Sequence, residues 1–228
     1  MKPFVKKTTG GFTLVELLVV ITIIAVLAGV AMPVFNGVQM RAKITAASAQ
    51  AHGIHIGAMQ YASDNDGNFP VAKGSSNDGL KKLVPRYVEN EKPFYVAGSA
   101  WHKSSKDGTG PDNYFGNPPG YEEALTSGEN HWAYVSGLTN SSDSNLPLIA
   151  DGFSESVGVY TNIQTKKGGV WKGTKAIVCY ADGSIKSEEV DSTSYKVMKK
   201  KGGGNKVDLF SSDYNENFNR EDLLNPMD

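Results

Sequence analysis

The chain has 228 residues, a formal net charge of -1, 10% aromatic residues and one cysteine, Cys179. That length suits one long helix and one modest globular domain, and the composition is that of a folded chain. The near-neutral charge argues against a general nucleic-acid binder, and a lone cysteine excludes an intrachain disulfide even in an oxidising compartment.

The first element is an apolar helix. From Phe12 to Met32 the only formal charge is Glu16, and about twenty such residues in helix cover the ~30 Å hydrocarbon core of a bilayer. Lys2, Lys6 and Lys7 precede this run and no basic residue follows until Arg41, so the positive-inside bias puts the amino end in the cytoplasm and everything beyond Met32 outside. A carboxylate inside a spanning helix costs roughly 2.5 to 3.5 kcal/mol, which marks Glu16 as functional until a partner is found. The helix itself offers no cation. Cutting between Gly11 and Phe12 would release an α-amino group of pKa about 7.7 to 8.0 within a helical turn of Glu16. Within one chain both groups lie at a helix end and point outward. Between chains displaced along their axes, the amine of one meets the carboxylate of the next and both desolvation costs are offset.

The run Gly11-Phe12-Thr13-Leu14-Val15-Glu16, followed by an unbroken apolar stretch with Pro33 at its far end, resembles the type IV pilin and type II secretion pseudopilin superfamily. The resemblance covers roughly the first 60 residues, read as helix. It implies an α+β fold, with a long N-terminal α-helix, transmembrane in its first half and amphipathic in its second, packed on a small antiparallel β-sheet domain. It also implies a leader, residues 1–11, cut after Gly11 by a membrane peptidase, methylation of the new terminus Phe12, and assembly through Phe12, Glu16 and Pro33. An ordinary secretory signal peptide, with Gly29-Val30-Ala31 as its cleavage site, is disfavoured by the length of the apolar run and by its acid. A plain membrane anchor explains length and orientation but leaves Gly11, Phe12 and Glu16 as coincidences.

Beyond Pro33 the helix changes character. Met40, Ile44, Ala47, Ala51, Ile54, Ala58 and Tyr61 form one stripe of an amphipathic helix, predicted to continue to about Ala62 and to give a total length of ~75 Å. Pro33 removes a backbone donor and is expected to bend it. Gly37, Gly53 and Gly57 each lower its intrinsic stability by about 1 kcal/mol relative to alanine. The helix is predicted to stop at Ser63-Asp64-Asn65-Asp66-Gly67-Asn68, where Gly67 suits a left-handed cap and Pro70 blocks continuation. Tyr61 to Pro70 resembles the segment after the long helix of major pseudopilins, which favours a secretion pseudopilin over a pilus subunit. The expected divisions are a span over 12–33, an amphipathic segment over 34–63, an extracytoplasmic α+β domain over 64–207 and a flexible acidic tail over 208–228.

Within that domain a short helix is predicted over 79–88, a strand over 93–97, a long surface loop over 98–120 and a helical turn over 121–125. Strands are expected next over 131–136 and 146–150. The strongest signal is the hairpin of strands 174–180 and 184–190 about Asp182-Gly183, its first arm central in an antiparallel sheet.

Motifs for catalysis are absent: there is no G-x-S-x-G element, Walker loop or dinucleotide fingerprint. His52 and His55 have helical spacing but no acid or cysteine nearby to complete a metal site. Cys179 reads as a buried hydrophobe. Asp64, Asp66 and Asn68 have the alternating oxygens that open a calcium loop, without its distal glutamate, and an Asx turn that stops the helix accounts for them equally. The resemblance implies a structural calcium somewhere, since major pseudopilins carry one in a carboxy-terminal loop. Lys199, Lys200 and Lys201 read as a solvated turn rather than a contact for DNA or lipid.

The expectation is a non-enzymatic subunit of a type II secretion pseudopilus in the inner membrane. It would form a homo-oligomeric filament with a periplasmic domain, and its partners would be a prepilin peptidase, an assembly platform and minor pseudopilins, with no nucleic acid. The alternatives are a type IV pilus subunit for adhesion, motility or DNA uptake, and a membrane-anchored binding protein or hydrolase.

Overall fold

The computed structural model describes residues 11–106, 108, 110–201, 204–216 and 218–227, with the backbone alone at Pro33, Val34 and Ser104. The expected leader, including Lys2, Lys6 and Lys7, therefore lies outside the described residues except for Gly11. Helix α1 runs Leu14–Asp64 and continues through Pro33. The chain divides into two compact units, Met1–Ala42 and Lys43–Asp228.

In the second unit the predicted stripe is the buried face of α1. Ala47, Ala51, Ile54, Ala58 and Ala62 are buried, while Ile44 and Tyr61 are half-buried. Alanines let neighbouring backbone approach closely. Gly57 goes further, because a Cβ there would lie 2.5 Å from the Val88 side chain. The cover comes from the segment around Tyr87 to Lys92: Tyr61 meets Tyr87 edge-on at 5.5 Å, and the Gln50 amide donates to the Lys92 carbonyl. The helix ends as predicted, with the Gly67 amide (φ 80) bonded back to Ala62 O at 2.8 Å.

Helix α2 is Ser76–Leu80, continued by a 3-10 turn over Lys81–Leu83. It begins earlier than predicted because Ser75 and Asp78 form a reciprocal capping box. The predicted strand over 93–97 is not formed. Lys92–Phe94 is a 3-10 turn, and the chain docks on His131 instead, with His131 N–H donating to Phe94 O and Val96 N–H to His131 Nδ1.

Strands β1 (Trp132–Val135), β2 (Pro147–Asp151), β3 (Lys175–Tyr180) and β4 (Ile185–Glu189) form an antiparallel sheet, and β7 (Leu223–Leu224) completes it in the order β4-β3-β2-β1-β7. Every residue of β1 and β2 is buried. Alternate side chains point to opposite faces, so the centre of the sheet is covered on both sides. The Asp182-Gly183 hairpin is as predicted: Gly183 has φ 83, and Ser184 N–H donates to the Asp182 carboxylate at 2.8 Å. Strands β5 (Met198–Lys200) and β6 (Lys206–Asp208) form a separate two-stranded ribbon.

The ribbon and the carboxy-terminal segment correct two expectations. Lys199 and Lys200 lie in β5 rather than in a turn; Lys200 and Lys201 are exposed as expected, but Lys199 pairs at 2.6 Å with Glu188, whose other oxygen accepts from the Tyr180 hydroxyl. The described residues of 208–227 are not a flexible tail. Leu209, Phe210, Phe218 and Leu223 are buried, Phe210 packs edge-on against Phe153 at 4.9 Å, and Leu223 pairs with Val135. Each such side chain contributes on the order of 1.5 to 3 kcal/mol on burial, enough to overcome the acidic, Asn-rich composition of the segment around it.

Candidate functional site

At the start of α1, Thr13 and Glu16 form a reciprocal cap. Thr13 N–H and Oγ1–H donate to Glu16 Oε2 at 2.9 and 2.7 Å, and Glu16 N–H donates to Thr13 Oγ1 at 3.2 Å. The acid satisfies helix-end amides and gains from the positive end of the helix dipole. Among the described residues the helix offers Glu16 no cation, as expected, but it does offer these donors. Both bonds land on Oε2, and no hydrogen bond to Oε1 is present among the described residues.

After this cap the helix is bare. From Leu14 to Ile24 every side chain is exposed, Phe12 is 73% exposed, and the most apolar stretch of 18 residues, of mean hydropathy 2.8, contains no buried residue. Leu14 to Met32 rises ~28 Å, the depth of a hydrocarbon core. Thr22, the remaining polar side chain of this stretch, returns its hydroxyl to Val19 O at 2.8 Å. An apolar surface this extensive calls for lipid or other apolar helices around it.

Residues 6–32 match the family described as the prokaryotic N-terminal methylation motif. The type II secretion system core protein G of Pseudomonas aeruginosa is 29% identical over 123 residues, 54% of this chain and 80% of that protein. The chain is a prepilin-motif protein, homologous to a major pseudopilin. No solved structure matches it. The architecture is the one this relationship implies, a long N-terminal helix followed by a five-stranded antiparallel sheet. Proteins of this kind are structural subunits, cut by a prepilin peptidase and assembled into filaments, and the one helix of spanning length among the described residues accords with an inner-membrane anchor.

The other sequence candidates fall apart in space or in chemistry. His52 is exposed while His55 is buried, with Nε2 3.1 Å from Ala181 O. Burial pushes the Cys179 thiol up to about 12, so it carries no thiolate at neutral pH. Of the calcium candidates, Asp64 accepts from Arg86 at 2.9 Å and Tyr87 at 3.0 Å, and the Asn68 amide bonds back to Asn65 O. Asp66 is exposed. The three are joined in no carboxylate cluster among the described residues.

A cluster does exist elsewhere, and sequence reading missed it. Glu91, Asp112 and Glu129 bring carboxylate oxygens within 4.8 Å of one another. The fully buried Glu91 accepts from Leu125 N–H at 2.8 Å and Asn113 N–H at 2.9 Å, while Glu129 accepts from the Thr126 amide and hydroxyl. Burial, assisted by the neighbouring Glu129 charge, raises Glu91 to about 7 against the pull of those amides. Burial also raises Glu129. This set suits a hard divalent cation in charge and ligand type, but each buried carboxylate already serves as a strap for the 111–129 segment.

Proposed function

We propose that this chain is the structural subunit of a type II secretion pseudopilus, without catalysis of its own. The precursor sits in the inner membrane with its amino end cytoplasmic and the Lys43–Asp228 unit in the periplasm. A prepilin peptidase cuts after Gly11 and the Phe12 amine is methylated. On the assembly platform, with minor pseudopilins, that amine reaches Glu16 of an adjacent copy. Thr13 already holds one oxygen of Glu16, so the incoming amine takes Oε1 and the carboxylate ends with a full set of donors. Apolar helices then replace lipid around one another, and the β domains face outward. The observation that carries this reading is a capped acid at the head of a bare apolar helix of spanning length, directly after the cleavage motif.

Intact-mass spectrometry of the protein recovered from membranes tests it. The expected species begins at Phe12 and carries one additional methyl group. A mature species that still carries residues 1–11 excludes the proposal.

A further inference from the structure

Two loops remote in sequence bring three lysines to one cleft of about 540 Å³ on the Lys43–Asp228 unit. Lys103 comes from the 3-10 turn Ala100–Ser104, and Lys166 and Lys167 from the loop between Tyr160 and Trp171. The second loop is tightly folded. Thr161 N–H bonds to Gly168 O, Lys166 N–H to Ile163 O and Gly169 N–H to Lys166 O, all at 3.0 to 3.1 Å. A Cβ at Gly169 would collide with Ile163 O, and one at Gly168 with Ser154 N. The lysines therefore stand on a fixed scaffold. The Lys103 ammonium donates to Thr165 O at 3.0 Å, which ties the two loops together. The Lys167 ammonium sits 4.3 Å above the buried Trp101 ring, and its partial burial lowers its pKa. Hydroxyls of Ser154, Ser156 and Thr161 line the same cleft, and Glu155 is its one acid among the described residues.

We propose that this cleft binds a small sugar bearing a phosphate monoester. The three lysines and Glu155 leave a net of two positive charges, which matches the charge of about -1.5 to -2 on a phosphate monoester at neutral pH. The lysine ammonium groups can meet phosphate oxygens as point charges. The volume lies within the range of roughly 300 to 1,000 Å³ typical of small-molecule sites. The serine and threonine hydroxyls supply donors and acceptors for sugar hydroxyls beside the phosphate.

Titration calorimetry on the full chain in nonionic detergent tests this, with glucose 6-phosphate, glucose and inorganic phosphate as probes. Glucose 6-phosphate should bind at least about tenfold more tightly than either alternative, and more weakly as salt rises. The exposed Lys166 separates binding from folding: K166Q should keep the thermal midpoint of the parent, and K166Q with K103Q should weaken glucose 6-phosphate by about tenfold or more. K206Q, at a residue outside the cleft lining, should change nothing. Absence of glucose 6-phosphate binding, an equal affinity for glucose or for inorganic phosphate, or an unchanged affinity in K166Q/K103Q overturns the proposal.

Discussion

Asp151→Asn should flatten the pH dependence of stability. Asp151 closes β2 at 1% exposure; one oxygen accepts the Ile177 amide at 2.6 Å, while Oδ2 is buried without a hydrogen bond, the Trp171 indole N–H facing the carboxyl out of bonding geometry. Burial raises this carboxyl from 3.8 to about 8. The folded state therefore keeps a proton that the unfolded chain releases, and stability is lost as pH rises between those two values. One pKa unit corresponds to 1.36 kcal/mol, so the ceiling on this loss is on the order of 5 kcal/mol between about pH 4 and pH 8. Asparagine keeps an acceptor for Ile177 N–H and has no proton to lose. Urea unfolding of the full chain in detergent, followed by the fluorescence of the buried Trp101, Trp132 and Trp171, should give similar stabilities near pH 4. By pH 8 the variant should be the more stable by several kcal/mol. Parallel pH profiles for the two proteins would refute the reasoning.

Phe210→Ala tests the anchored carboxy-terminal segment and should cost about 3 to 5 kcal/mol in the same unfolding assay; an unchanged midpoint would restore the flexible tail. Gly152→Ala should destabilise by about 1 to 3 kcal/mol, because its Cβ would collide with Trp101 Nε1 and lie 2.9 Å from His131 O. Glu91→Ala strips the acceptors from the buried Leu125 amide, at a cost of about 1 to 3 kcal/mol, and from the part-buried Asn113 amide. Limited proteolysis should then cut first within residues 111–129, and cleavage elsewhere would contradict the strap role.

The sequence disclosed what repeats. The stripe from Ala47 to Ala58, the Asp182-Gly183 hairpin and the helix stop at Gly67 rest on period or turn chemistry, and all three are present. Thr13-x-x-Glu16 has the spacing of a capping box, so this cap too is legible in the sequence. The anchors Leu209, Phe210, Phe218 and Leu223 follow no period, so averaged composition concealed them. Glu91, Asp112 and Glu129 come from separate turns, as do Lys103 and Lys166-Lys167, and only the folded loops bring either set together.

Shearing filaments from cells that express either the parent chain or Glu16→Ala, with the membrane-inserted pool measured alongside, tests the central claim most directly. The parent should appear in the sheared polymer, whereas the variant should reach the membrane in equal amount and stay there as unassembled subunits. Polymer at parental abundance from Glu16→Ala would contradict the account.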